Sequence, residues 1–572
     1  MKNFSILFSG NSGDGIQSLG KQFTLNCFNY SNYLNSSSEF PSEIRTSNNT
    51  IESLSSFKVN FGDQNVVSLS HRYDVLVVFN ASALKANLAN LKNGGIIIAE
   101  ESGFLANQLK IACYTNNPLI KYVVYILNLN HYKYKDKEKD KYSKNMLVLG
   151  FLSYLFHFNL LYLLKTQINN NFLKWGYELG KTKRLKQIEV SKFKKKKYNP
   201  SNGNQAIVFG ILKASQISKV PIFYSYYPIT PATSILNYIN KYKKSSLKIF
   251  LSEDEMSSIS SSIGASYAGY LGITATSGPG MSLILEGIGL CFMLELPLLI
   301  INVQRAGPST GLPTKTEQSD LLQALYGCHG ETNIPVLAAK SIENCFNISF
   351  IACKIALEYM TPVVLLSDFY LANSFEFWSF KNLENIICNY PFKKKKYNPY
   401  ERNKNKVRFW GIPGKIKCTN IIGGLEKKNI IGDVSFDSQN HELMVKLRKN
   451  KINNIRYYLP RQKINLGKNH GKILIISWGS TYQIINNAVK ILISTGYSVS
   501  SSHFEFLNPL PNGINKFIYN FEKVVIAELN TGQFSQIIRN QFLINVISIN
   551  KIQASQFTVV EIVNKIKELI NT

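Results

Sequence analysis

The sequence predicts a multi-domain α/β protein built around a parallel sheet. Three observations predict it. Through residues 204–374, short apolar runs alternate with helix-length stretches across brief connections, the pattern of repeated βα units. Both flanking segments repeat the strand, glycine turn and helix order on a smaller scale. The length, 572 residues, exceeds what one hydrophobic core supports and fits about three or four domains.

The first segment, 1–190, opens on the strand "FSILFS", turns through "GNSGDG" and enters the helical "IQSLGKQFTLNCFNY". "DVLVVF" and "GGIIIAE" add strands, and "YKYKDKEKDKYSK" (132–144) reads as a solvated loop. The lysine run "KFKKKKYNP" (192–200) lies in a basic linker, 191–203. The middle domain, 204–374, then runs "IFYSYYPIT" strand, "PATSILNYINKY" helix, "KIFLSE" strand, "EMSSISSSIGASYAGYLG" helix, "ITATSG" strand, "MSLILEGIGLCFML" helix and "PLLIINVQ" strand. "PVLAAK", a helix over 341–359 and "TPVVLLSD" continue it. A less regular connecting region, 375–470, holds a second "KKKKYNP" and the glycine-rich "IIGGLEKKNIIGD". The last segment, 471–572, repeats the α/β pattern with strands "KILIISW", "YSVSSSHFEFL" and "KVVIAEL", enough for a small separate sheet.

Lys and Arg number 65 against 36 Asp and Glu, a formal charge of +29. Such an excess fits nucleic acid, an acidic membrane or an acidic partner. The chain is also rich in Lys, Asn, Ile and Tyr, whose codons are rich in A and T, so base composition alone accounts for much of the charge. No zinc-finger, basic-zipper or RNP spacing accompanies it, and the aromatics are spread, so no nucleic-acid role is expected. The eight cysteines include no CxxC pair, which argues against an iron–sulfur or zinc site in this chain and for free buried thiols. The N-terminus "MKNFSILFSGNSGDG" has glycines and an acid where a signal peptide needs an apolar core, so a cytoplasmic location is expected. "MLVLGFLSYLFHFNLLYLL" (146–164) is near membrane-spanning length, but Gly150, Ser153, His157 and Asn159 interrupt it. A buried helix is expected there, with no membrane association.

Ligands of an open parallel sheet bind at the carboxyl ends of its strands, where loops and helix N-termini converge. Four such ends carry polar or turn-forming residues in succession: "YPITP" (227–231), "SEDE" (252–255), "TSGPG" (276–280) and "QRAGPSTG" (304–311). Each alone reads as punctuation: the acids 253–255 as a helix cap, Thr230 as a turn residue, Ser319 or Asp320 as the cap closing the last loop. Their succession on one sheet indicates a site. Arg305 presents a planar guanidinium fork suited to a carboxylate.

The run "YPITPATSI … SEDEMSSISSSIGASYAG … TATSGPGMSLILEGIGL … ELPLLIINVQRAGPSTGLPTKTEQSDLLQAL" closely resembles the α subunit of 2-oxoacid:ferredoxin oxidoreductases, particularly the 2-oxoglutarate type with a γ domain fused in front. "SGNSGDGIQSLG" and "PSEIRT" resemble the γ domain; "WGST", "NPLP" and "ELNTGQ" resemble the transketolase-C-like domain. The resemblance implies a thiamine-diphosphate enzyme in which the middle domain supplies the aminopyrimidine and substrate side of the site. Glu255 matches the carboxylate that hydrogen-bonds N1′ of the aminopyrimidine, a task suited to an acid withdrawn from water. Arg305 matches the substrate-carboxylate contact, and Thr230 a second contact donating its hydroxyl to the oxoacid. Gly13 and Gly15 stand where the γ domain handles coenzyme A, a glycine turn at a helix N-terminus being able to receive a phosphate. The order G-x-x-G-x-G of "GNSGDG", with no acid closing a second strand at the usual distance, makes NAD the weaker reading.

The chain carries no "GDG…N" metal–diphosphate motif in the expected context. The resemblance assigns the magnesium, the diphosphate end and an iron–sulfur cluster to a separate β subunit, so activity is expected only in a hetero-oligomer with that subunit. The expected reaction is oxidative decarboxylation of 2-oxoglutarate with coenzyme A to succinyl-CoA and reduced ferredoxin. Pyruvate or a branched-chain oxoacid is the alternative substrate, and a basic scaffold for nucleic acid or membrane the alternative of another class. "GLEKK" (424–428) departs from the acidic and histidine residues that relatives carry after "GLE", which bears on substrate preference.

Overall fold

The computed structural model describes residues 3–27, 30, 33–41, 53–62, 72–105, 119–128, 140–160, 170–188, 199–242, 246–378, 388–391, 397–414 and 421–571. Most of "PSEIRT" and of both lysine runs lies outside them. Chain contacts define two compact units: Met1–Ser201 with Asn373–Phe380, and Asn202–Ala372 with Lys381–Thr572.

The first unit is built on an eight-stranded sheet. Its strands are β1 (Asn3–Asn11), β2 (Tyr33–Glu39), β3 (Leu54–Gly62), β4 (Tyr73–Val78), β5 (Leu91–Glu100), β6 (Val123–Leu127), β7 (Asn199–Asn202) and β14 (Phe375–Trp378), in the order β6-β5-β4-β1-β3-β2-β14-β7. β1, β4, β5 and β6 are parallel, whereas β3 runs antiparallel to β1 and β2. Helix α1 (Ile16–Cys27) lays Ile16, Leu19 and Phe23 on one face beside Phe8, Phe57 and Phe61; α2 (Ala81–Asn87) covers Leu7, Leu76 and Val78 on the other. β7 takes residues that the sequence places in the linker, and β14 takes the start of the connecting region.

The apolar stretch from Met146 forms part of α3 (Asp140–Leu155), packed along α4 (Asn170–Thr182). Two glycines let the helix backbones touch: a Cβ on Gly150 would lie 2.1 Å from the Leu173 carbonyl oxygen, and one on Gly176 1.9 Å from that of Leu147. The helix stops at Leu155, and the chain reverses through His157 at φ 55°. Among the described residues no helix is long and apolar enough to cross a membrane.

The second unit holds two sheets. The larger contains β8 (Ile222–Tyr226), β9 (Leu247–Leu251), β10 (Leu271–Thr276), β11 (Leu298–Gln304), β12 (Val336–Ala338), β13 (Pro362–Asp368) and β17 (Phe506–Asn508), ordered β17-β12-β13-β11-β10-β8-β9. Every pairing is parallel except β12 with β17. β10, β11 and β13 are buried along their whole length, as apolar strands covered on both faces must be. Connecting helices are α5 (Gly203–Ser218), α6 (Thr233–Ile239), α7 (Glu255–Tyr267), α8 (Gly278–Leu283), α9 (Leu285–Leu294), α10 (Leu321–Tyr326) and α11 (Ile342–Tyr359). α12 (Ser438–Asn454) then leads toward the smaller sheet.

The smaller sheet orders β16 (Val499–Phe504), β15 (Gly471–Trp478), β18 (Phe521–Glu528) and β19 (Val546–Asn550) as β16-β15-β18-β19, all parallel. Helices α13 (Tyr482–Ser494), α14 (Gln533–Phe542) and α15 (Val559–Asn571) belong to it. Where the sequence reads one strand over 497–507, the chain divides: β16 stays in the small sheet, and β17 crosses to pair with β12 of the large one.

Candidate active site

β11, β10, β8 and β9 are neighbours and mutually parallel, so their carboxyl ends share one edge of the large sheet. The four motifs follow those four ends. Their residues meet because the sheet is parallel and the connections are short.

The acids after β9 divide their work. Asp254 caps α7, accepting from the Ser257 backbone N–H at 2.6 Å. Glu253 is exposed, while Glu255, the first residue of α7, is only 7 % exposed. The helix is therefore capped without Glu255, whose carboxylate packs on the turn opening α8. A Cβ on Gly280 would lie 2.0 Å from Thr276 Oγ1 and 2.5 Å from Glu255 Oε1, both far inside contact distance. The glycine of "TSGPG" makes the room that the carboxylate occupies.

Arg305 follows β11 directly and is also 7 % exposed. Its Nη1 donates to the Thr230 carbonyl oxygen at 2.7 Å, and its Nε is buried without a hydrogen bond. Burial lowers the pKa of the guanidinium, and the charges of Asp320 and Glu255 oppose that shift. An arginine nonetheless stays protonated at neutral pH. Thr230 thus meets Arg305 through its backbone, with its side chain exposed toward solvent.

Three further groups join them, of which the sequence reading names only Asp320, as a cap alternative to Ser319. Asn302 and Gln304 are buried amides in the otherwise apolar β11. Asn302 Nδ2 donates to Asp320 Oδ2 at 3.0 Å, and Gln304 Oε1 accepts from the Asp320 backbone N–H at 3.1 Å. Asp320 is the residue before α10, but its side chain makes no capping bond there; it is held by Asn302 instead. Burial pushes its pKa up to about 6, helped by Glu317 and opposed by the Asn302 bond and Arg305. The detectable signal was the polar pair inside "LLIINVQ", since buried amides need partners.

Gly13 and Gly15 lie in the other unit, between β1 and α1, both at positive φ (105° and 76°). Asp14 Oδ2 accepts from the Asn11 N–H at 2.7 Å, and Asn145 Nδ2 donates to the Asp14 carbonyl at 3.2 Å, which fixes the turn. Burial raises the Asp14 pKa; Lys144 lowers it and Glu100 raises it further. In the "GLEKK" segment, Lys427 is buried and spends its ammonium on the carbonyls of Gly423 and Leu425, while Glu426 pairs with Arg448 at 2.7 Å.

A buried acid and a buried cation thus stand on one strand-end rim of a parallel sheet. The family model described as "Pyruvate flavodoxin/ferredoxin oxidoreductase, thiamine diP-bdg" matches residues 215–448, and "Pyruvate ferredoxin/flavodoxin oxidoreductase" matches residues 5–181. The 2-oxoglutarate oxidoreductase subunit KorA of Mycobacterium tuberculosis is 37% identical over 594 aligned positions, covering 98% of this chain and 91% of that protein. The 2-oxoglutarate synthase subunit KorA of Archaeoglobus fulgidus is 33% identical, covering 58% of this chain and 88% of that protein. The solved 2-oxoglutarate:ferredoxin oxidoreductase of Magnetococcus marinus, with 2-oxoglutarate, coenzyme A and succinyl-CoA bound, superposes with a TM-score of 0.88 at 29% identity over 100% of both chains. The chain belongs to the 2-oxoacid:ferredoxin oxidoreductase family.

Proposed function

We infer that this chain is the α subunit, with its γ domain fused in front, of a 2-oxoglutarate:ferredoxin oxidoreductase. The reaction is oxidative decarboxylation of 2-oxoglutarate with coenzyme A to succinyl-CoA and carbon dioxide, two electrons leaving to ferredoxin. The carrying observation is Arg305: a buried guanidinium with an unspent Nε, on the same strand-end rim as the buried Glu255.

The donor set fits thiamine diphosphate, because Glu255 is a buried carboxylate kept in place by the missing side chain of Gly280. When bound, thiamine diphosphate supplies the nucleophilic carbon that attacks an oxoacid carbonyl. Glu255 would share a proton with N1′ of its aminopyrimidine. Arg305, with Nη1 committed to the Thr230 carbonyl, would offer its remaining edge to the substrate carboxylate through charge-assisted bonds. The Thr230 hydroxyl would donate to the same oxoacid, and the charge of Asp320 would favour the protonated guanidinium.

Magnesium, the diphosphate end and the iron–sulfur cluster would belong to a β subunit. Large apolar side chains stand exposed along the rim: Met256 at 51 %, Leu283 at 51 % and Leu312 at 52 %. A second subunit closing the site would cover them. Gly13 and Gly15 would receive a phosphate of coenzyme A at the N-terminus of α1. A Cβ on Gly15 would lie 2.2 Å from Asn145 Nδ2, so Gly15→Ala should raise the coenzyme A KM and spare the oxoacid KM.

The deciding experiment is co-purification with the β subunit and a panel of oxoacids read with a redox dye. 2-Oxoglutarate should give the highest kcat/KM, and Arg305→Ala should raise its KM. A preference for pyruvate or a branched-chain oxoacid would overturn the substrate assignment, and unchanged kinetics of Arg305→Ala would remove that residue from the site.

A further inference from the structure

The motifs "WGST" and "ELNTGQ" follow the carboxyl ends of β15 and β18 in the small sheet, and nothing in the chemistry above uses them. Both converge on the chain that connects Arg305 to α10. Gln318 in that chain is fully buried. Its backbone N–H donates to the Leu529 carbonyl at 3.1 Å, its Oε1 accepts from the Leu529 N–H at 3.1 Å, and its Nε2 donates to the Trp478 carbonyl at 2.9 Å. Asn530 Nδ2 donates to the Gln318 carbonyl at 2.8 Å. Every polar group of Gln318 is therefore spent on residues more than 150 positions away in sequence.

Positions 319 and 322 are held the same way. Gln533 Nε2 donates to the Ser319 carbonyl at 2.7 Å, and Gln533 Oε1 accepts from the Leu322 N–H at 3.0 Å. The turn that presents these groups is itself rigid. Asn530 Oδ1 accepts from the N–H groups of Gly532 and Gln533, and the fully buried Glu528 accepts from Phe534, Ser535 and the Trp478 ring. Gly479 sits at φ 61°, and a Cβ there would lie 2.2 Å from Gln318 Nε2. A side chain at 479 would expel the glutamine from its slot.

A loop held at one end by β11 and left free at the other would let Arg305 wander. Here the far end is stapled to a second sheet, and Asp320, whose carboxylate acts on Arg305, lies between the stapled residues 319 and 322. We propose that the C-terminal sheet sets the position of the substrate-binding loop, with Gln318 and Gln533 as positioning residues for recognition of the oxoacid carboxylate. The inference rests on the assignment of Arg305 to that carboxylate. It gives the third α/β element a part in substrate recognition, exerted through a loop it does not contain.

The test uses the complete complex with the β subunit. Gln533 is only partly buried, so Gln533→Ala removes its bonds to Ser319 in the loop and to Leu322 in the first turn of α10 with little disturbance of the core; Gln318→Leu removes the deeper set and serves as the severe variant. Gln533→Ala should raise the 2-oxoglutarate KM about ten-fold, the scale of two lost neutral hydrogen bonds. The coenzyme A KM should stay within about two-fold, since a merely destabilised protein would not separate the two substrates. An unchanged oxoacid KM in folded Gln533→Ala complex, or an equal rise in both KM values, would overturn the proposal. Arg305→Ala run in parallel separates the two levels: if it leaves the oxoacid KM unchanged, the site assignment fails; if it raises that KM and Gln533→Ala does not, the positioning role alone fails.

Discussion

Gly280→Ala is a small change with a large expected effect. The added methyl would stand 2.0 Å from Thr276 Oγ1 and 2.5 Å from Glu255 Oε1, where ordinary contact begins near 3.4 Å. Either the α8 turn retreats or the Glu255 carboxylate moves by about an ångström. Overpacking of this kind costs about 1–3 kcal/mol in stability. A displacement of about 1 Å at a catalytic group costs on the order of a hundred-fold in rate. Gly264→Ala is the matched control: it lies exposed on α7, nothing approaches its Cβ position within 4 Å, and the change should stabilise by about 0.5–1 kcal/mol. Thermal melts and steady-state turnover of the two variants in the reconstituted complex give the comparison. Full kcat in Gly280→Ala would refute the claim that this glycine makes room for a working Glu255.

Two further outcomes concern stability. Lys451 is wholly buried, donating to Glu295 Oε2 at 2.6 Å and to the Met360 carbonyl at 2.9 Å, so Lys451→Met leaves a buried carboxylate with Arg402 alone. Glu295 keeps its bidentate pair with Arg402, so the loss expected in urea unfolding is that of buried acceptors left short of a donor, about 1–3 kcal/mol; a loss under about 1 kcal/mol would mean that the remaining pair satisfies Glu295. Asp368 ends β13 fully buried, and burial raises its pKa from 3.8 to about 6. Its folded form then binds a proton that the unfolded form has released between about pH 4 and 6, so its contribution to stability falls by about 3 kcal/mol as pH rises through that window and is flat above it. The difference between wild type and Asp368→Asn should carry that slope, and parallel stability curves would contradict it.

The parallel core of the second unit was legible because burial on both faces forces β10, β11 and β13 to be nearly all apolar, and glycine or proline marks their ends. β2 and β3 were not: "YLNSSSE" and "LSSFKVNFG" bury serines and asparagines that composition assigns to loops. β19, "VISIN", is five residues long and fell below notice. The split between β16 and β17 is invisible in one dimension, since a strand's change of sheet depends on which partner it meets. At the site, the loops holding Glu255, Arg305 and Thr230 break apolar runs, but the resemblance to the family, not the local pattern, singles out those three residues. The sequence offers Ser319 or Asp320 as a cap; the partner of Asp320 is Asn302, 18 positions back on β11. The Gln318 contacts span up to 212 positions, and no local pattern announces them.

Exchange of the thiamine C2 proton with solvent, measured in the reconstituted complex carrying Glu255→Ala, tests the central claim most directly. Exchange should slow by about 10²–10⁴-fold, the usual worth of a positioned acid–base group. Exchange at the wild-type rate would contradict the account, leaving Glu255 a buried acid with no part in the chemistry.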